Sequence, residues 1–204
     1  MNTLRLVGAL LLALAALPGC AEQPDPARYG TRRVYIDTGC PEPHRTWARE
    51  AVPRLGALGR EAWEAVAVSA VADVTVRCRV FPSCAEDPAH CDAAGSFSPG
   101  DRFVEVDPER TRTSFDVHAV VMHELVHHRV YEGPHPERAS LHVCKLVNEL
   151  PAGQCFEGWH GEAVMNPAAI SDGRPGAWDD VEGTLSLDEI QPGDVEFYRW
   201  ALTP

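Results

Sequence analysis

The stretch Ser114–Gly133, "SFDVHAVVMHELVHHRVYEG", constrains the fold most. Apolar residues recur along it at helical spacing, which predicts a long helix that buries its apolar positions. Thr113 or Ser114 suits the N-cap, and Asp116 suits the first turn, where the helix dipole favours a negative charge. Gly133-Pro134 marks the end: glycine offers a left-handed exit, and proline cannot continue the helix. A domain must be built around such a helix. The chain has 204 residues, enough for one domain with a substantial core.

The same stretch holds His-Glu-x-x-His at positions 123–127. Residues four apart on a helix share a face, so His123 and His127 can turn their imidazoles toward one zinc ion. Glu124 is offset around the helix. It can reach a zinc-bound water without ligating the metal and take its proton. Catalytic zinc commonly has three protein ligands and one open position. Candidates for the third are His135, His142, Glu149, Glu157, His160 and Glu162. His135 follows the helix break directly, where the chain can turn back, and it is the preferred candidate. Glu149 and His160 are the main alternatives. His118 and His142 read as packing or surface residues, and His128 as a surface residue.

Elsewhere the pattern alternates between elements. "RRVYIDT", "DVTVRCRVF" and "RFVEVD" read as strands. "PHRTWAREAVPRLGALGREAWEAVAVSA" has helical spacing of Trp47, Val52, Leu55, Leu58 and Trp63, with Pro53 and two glycines to kink or split it. "PSCAEDPAHCDAAGSFSPGD" reads as a loop, and "PERASLHVCKLVNEL" as a second helix. A Gly-, Pro- and Asp-rich region follows. "SLDEIQPGDVEFYRWAL" reads as an interrupted closing helix with Ser186 and Glu189 as a capping box. The acidic "SDGRPGAWDDVEG" fits a solvated loop better than a calcium site, since its spacing is not that of an EF-hand. The class is α+β, in two lobes with a cleft between them.

The amino-terminus has targeting character. Arg5 precedes an apolar run, Leu6–Leu17, of signal-peptide length and too short to span a bilayer. It ends in "LPGC", which resembles a bacterial lipobox. That resemblance implies cleavage before Cys20 and a lipid on Cys20. The expected location is then the bacterial envelope, at an outer membrane or the cell surface, with secretion as the alternative. The expected organisation is a signal peptide at 1–19, a Pro-rich tether at 20–30 and one domain at 31–204. Setting Cys20 aside leaves six cysteines, and an even number in an exported chain reads as disulfides. Short loops suggest Cys84–Cys91 and Cys144–Cys155, leaving Cys40–Cys78. The formal charge of −12 argues against nucleic acid as a partner.

"AGSFSPGDRFVEVDPERTRTSFDVHAVVMHELVH" resembles the catalytic domain of metzincins, especially matrixin-like ones. "GEAVMNP" resembles their Met-turn, with Met165 beneath the metal, and "LSLDEIQPGDVEFY" resembles their closing helix. The resemblance covers about residues 30–200 and implies a zincin fold: a small twisted sheet, an active-site helix and an irregular carboxy-terminal subdomain. It also implies a zinc peptidase whose extended substrate pairs with an exposed edge strand, which the order of elements assigns to "RFVEVD". The chain departs from the pattern after His127. The family continues x-x-Gly-x-x-His, whereas Val130 and Gly133 stand at those two positions here. The helix therefore runs on by about 4.5 Å before a turn. "GPH" at 133–135 resembles WLM-type and SprT-like proteases instead, in which that histidine is the third ligand. Asn166-Pro167 follows the Met-turn where the family often has Tyr, so no oxyanion stabiliser is assigned; His160 and Tyr198 are considered for that role. The expected function is a membrane-anchored zinc endopeptidase using Glu124, His123, His127 and His135. The alternative is a zinc-containing lipoprotein that binds a partner without hydrolysing it.

Overall fold

A computed structural model describes residues 30–82, 94–144, 153, 155–160, 163–165 and 189–204, with the side chains at 157, 159 and 160 outside that description. The expectations for Cys20, Cys84–Cys91, Glu149, Glu157, Glu162, the His160 ring, Asn166-Pro167 and the 171–183 loop fall on residues not described.

The described residues form a mixed α+β architecture. Strands β1 (Thr31–Ile36), β2 (Ala62–Val66), β3 (Val74–Cys78), β4 (Gly95–Phe97) and β5 (Phe103–Val106) form one sheet in the order β2-β1-β3-β5-β4. Neighbouring strands are parallel except β4, which runs antiparallel to β5. Strands β1, β3 and β5 alternate inward Val34, Ile36, Val74, Val76, Val104 and Val106 with less buried residues. This period of two gives the sheet one apolar face. Helix α1 (His44–Ala51) and the long helix α2 (Ser114–Tyr131) cover it.

Helix α2 begins as its sequence dictates. The Thr113 side chain accepts from the Asp116 amide at 3.2 Å, and the Asp116 carboxylate accepts from the Thr113 amide at 2.9 Å. Buried residues run without a break from Asp116 to His128. A helix buried all round is a central helix rather than a surface one, and each polar side chain on it needs a partner. At its far end, Arg129 donates to buried Glu61 at 2.7 Å, and the Tyr198 hydroxyl donates to the same carboxylate. Gly133 ends the helix without a left-handed φ. Its role is close approach: a Cβ there would lie 2.6 Å from Leu202 Cδ2 and 3.0 Å from the Val130 carbonyl oxygen.

Three expectations are corrected. The helical reading of 43–70 holds through α1 and a 3₁₀ run, Val52–Leu58, that buries Val52, Leu55 and Leu58. Gly59 then stops it at φ 80°, and residues 62–66 pair with β1 as a parallel strand. Residues 95–97, assigned to a loop, form the terminal strand β4. The "PERASLHVCKLVNEL" helix is a 3₁₀ turn at Pro136–Arg138 followed by strand β6 (His142–Cys144). Strand β6 pairs in parallel with β7 (Cys155–His160) as a second, two-stranded sheet. Helix α3 (Pro192–Ala201) closes the chain. Its cap is Gln191, with Asp194 three residues on and Pro192 at the first helical position, where the missing N–H costs nothing. Two of the expected disulfides are present: Cys144–Cys155, suggested by its short loop, and Cys40–Cys78, the pair left over.

Candidate metal centre

His123 and His127 lie on one face of α2, and their Nε2 atoms approach to 2.8 Å. Nitrogens bound tetrahedrally about 2.0–2.1 Å from one zinc would sit roughly 3.3 Å apart, so the two rings already converge to near-chelating distance. The third imidazole is His142, from β6. Its ring centroid lies 5.3 Å from that of His123 and 4.9 Å from that of His127. One ligand-type nitrogen from each of the three falls within 4.8 Å of the others.

The sequence reading had preferred His135, and His135 does not join this group. It sits on the turn after α2, with Nδ1 3.0 Å from Glu137 Oε1. The reason is the extra helical turn. Helix α2 runs past His127 to Tyr131, and the residues after it are carried beyond the site. The 3₁₀ turn at 136–138 reverses the chain, and β6 brings His142 back. The returning strand was the missed signal, because His142 had been considered within a presumed helix and set aside.

The imidazoles are prepared for a metal. The Val164 carbonyl can only accept, so the 2.8 Å contact puts a proton on His123 Nδ1 and leaves Nε2 with its lone pair aimed at His127. Such backbone anchoring of the non-ligating nitrogen is the usual outer-shell device in metal sites. Burial holds all three rings neutral, the form a metal requires. Burial, then the facing His127 and His142, push His123 well below the ordinary imidazole range. Burial, then His142, take His127 down to about 3 against the Ala139 backbone. Burial alone takes His142 to about 4. The Nδ1 atom of His142 is buried with no hydrogen-bond partner among the described residues, and that of His127 has at most the Ala139 backbone beside it. Three neutral nitrogen donors fit a borderline metal such as zinc better than a hard cation that seeks oxygen.

Glu124 is buried beside this trio, and desolvation raises its carboxyl to about 8. Strand β4 seals it. A Cβ at Gly95 would lie 2.4 Å from Val120 Cγ1 and 3.0 Å from Glu124 Oε1, so only glycine lets the strand lie this close to α2. Phe97, two residues on and on the same face, stacks on His127 at 6.3 Å between centroids and 21° between planes. Strand β5, expected to be the free edge, is paired on both sides; the terminal strand is β4. The Asp107 amide donates to the Ala94 carbonyl at 2.8 Å. By the alternation of an antiparallel ladder, Ser96 also faces β5, and Gly95 and Phe97 turn their peptide groups outward.

The floor of the site is the Val164–Met165 segment. Met165 is fully buried, and its carbonyl accepts from the Val143 amide at 2.8 Å. The Asp194 carboxylate on α3 accepts from the amides of Val164, Met165 and Gln191, each at 2.9 Å. Burial pushes Asp194 up to about 6 against the pull of these three donors, so it is ionised at neutral pH. Sequence reasoning did not single out Asp194. Its position in the first turn of the closing helix was visible, but its target was not.

Of two other histidines, His128 differs from its surface expectation and His118 takes the packing alternative. His128 is buried, with Nε2 3.0 Å from the Asp101 carbonyl. His118 is also buried, with Nε2 3.4 Å from Glu50 on α1. Tyr198, considered for transition-state support, has its hydroxyl committed to Glu61.

Comparison of this chain with family models, with curated proteins and with solved structures found no match.

Proposed function

We propose that the chain is a zinc-dependent peptidase of metzincin-like design, with the metal held by His123, His127 and His142 and with Glu124 as the proton-transfer group. The observation that carries this reading is a buried carboxylate one residue from a convergent, neutral three-imidazole group. A metal-binding protein without catalysis gains nothing from burying an unpaired acid there, because desolvating a carboxylate is costly.

When bound, the cation supplies Lewis acidity and lowers the pKa of a coordinated water to about 7. The remaining work falls to the chain. Glu124, ionised once a bound cation offsets the burial that raises its carboxyl, would take a proton from the attacking water and return it to the departing amine nitrogen. The outward peptide groups of Gly95 and Phe97 offer an extended substrate a short ladder beside that carboxylate, as in other cases of strand addition. Strand β4 thereby places a peptide bond near the base and, with Phe97 over His127, keeps water from that side.

Two disulfides fit an oxidising compartment, in keeping with an exported, lipid-anchored chain. Among the described residues, no helix is long and apolar enough to cross a membrane; in this reading the chain is attached through Cys20.

The test is Glu124→Gln assayed on unfolded protein and peptide libraries with zinc content measured in parallel. Zinc should be retained and hydrolysis should fall by about 10²–10⁴-fold. Hydrolysis at the wild-type rate in that variant would overturn the mechanism.

A further inference from the structure

His142 is the one imidazole of the group that does not stand on α2, and its support is slight. Strand β6 has three residues, and its register with β7 is interrupted between His142 and Cys144. The ribbon packs against the closing helix through Phe156, but its own two-stranded pairing is marginal, and a metal ligand must be held within about 0.5 Å. The disulfide supplies what the ladder lacks. Cys144 lies two residues from His142 on the same strand, and its partner Cys155 is the residue directly opposite His142 in the ribbon. One covalent bond therefore ties the ligand's own strand to the ligand's cross-strand neighbour. Cys144 is fully buried and Cys155 is only partly so. The other disulfide, Cys40–Cys78, joins the segment after β1 to the end of β3, elements that carry none of the three imidazoles.

We infer that Cys144 and Cys155 are positioning residues for the third ligand, and that their disulfide makes metal retention redox-dependent. The inference rests on the proposed reading of the three histidines as a metal site. In the switching step a dithiol reductant gives two electrons and two protons. The Cys144–Cys155 bond breaks, two thiols form, and the reductant leaves as its own disulfide. The ribbon then keeps its irregular ladder, the Val143-to-Met165 hydrogen bond and the packing of Val143 and Phe156 on the core, but His142 loses the one covalent tie that fixes it against His123 and His127.

The experiment uses the full chain and two readouts, zinc affinity and amide exchange at Val143, the second measured without metal. Cys144→Ser/Cys155→Ser is compared with Cys40→Ser/Cys78→Ser. The first pair should weaken zinc by about 10–100-fold and speed exchange at Val143. The second should leave both unchanged, whatever it does to the unfolding midpoint. If the first variant fails to fold, native wild type is titrated with dithiothreitol while thiols are mapped by mass spectrometry. Zinc release should then track reduction of Cys144–Cys155 alone. Unchanged zinc affinity together with unchanged Val143 exchange on loss of that disulfide would overturn the inference. A wild type that binds no zinc but still shows disulfide-dependent exchange at Val143 would overturn the proposed function while leaving the lock itself in place.

Discussion

The site is built from two halves that are held by different physics. One half is the face of α2 that carries His123, Glu124 and His127. Its geometry is local, because helical spacing alone puts the two imidazoles together, and a capping box and a fully buried barrel of side chains fix the helix itself. The other half is the ribbon that carries His142. Nothing local holds it. It depends on a disulfide, on Val143 bonded to Met165, and on Asp194 reaching from α3 to brace the Val164–Met165 segment. That same segment presents the Val164 carbonyl to His123, so the brace serves both halves at once. The comparison teaches that a short helix motif can bring two imidazoles and a carboxyl together, whereas the third imidazole requires a completed tertiary structure.

If that division is right, cutting the brace should hurt the ribbon half most. Asp194→Asn replaces one acceptor oxygen with an amide that faces backbone N–H donors. We expect a loss of about 1–3 kcal/mol in stability, the usual cost of a buried donor left unsatisfied. Zinc affinity should fall about 10–100-fold as the Val164 carbonyl loses its position. Denaturant unfolding and zinc competition titration measure the two. Lost stability with full zinc affinity would break the link between brace and site.

A smaller effect sharpens the helix half. Burial, together with facing Arg32, Arg102 and Arg129, holds His128 down to about 4 against the Asp101 carbonyl. Its unfolded value is near 6.5, so between about pH 6.5 and pH 4 the unfolded chain binds the proton and the folded chain does not. The contribution is fully present above pH 6.5 and falls as pH drops through that window. His128→Gln should make the pH slope of stability shallower there by less than one proton's worth, with zinc affinity near neutral pH unchanged. Denaturant midpoints measured from pH 4 to pH 7 report the slope, and an unaltered slope would remove His128 from the account.

The difference between the halves also explains what the sequence could reveal. Helix α2, its Thr113 cap, its end near Gly133 and strands β1, β3 and β5 were legible because each has a local pattern; Cys144–Cys155 was suggested by its short loop, and Cys40–Cys78, 38 residues apart, only as what the other pairings left. Strand β2 was not. Ala62, Trp63 and Glu64 continue a helical spacing, and only pairing with β1 in the register Thr31 to Ala62 makes them a strand. Strand β6 failed for the same reason on a larger scale. "HVC" sits among good helix formers, and its partners, Cys155 and the Met165 carbonyl, lie far along the chain. His135 was preferred because it directly follows the helix break and because "GPH" resembles the WLM-type and SprT-like pattern, while the helical reading of 136–150 left His142 among packing or surface residues. Glycine at 95 was visible as a residue but not as a requirement, because the contact that demands it is with Val120 and Glu124.

The most direct test of the central claim is zinc per chain, and its affinity, in wild type, His142→Ala and His135→Ala. The account predicts about one zinc in wild type, firm retention in His135→Ala, and loss or severe weakening in His142→Ala. Retention in His142→Ala with loss in His135→Ala would contradict it and return the third ligand to the turn after α2.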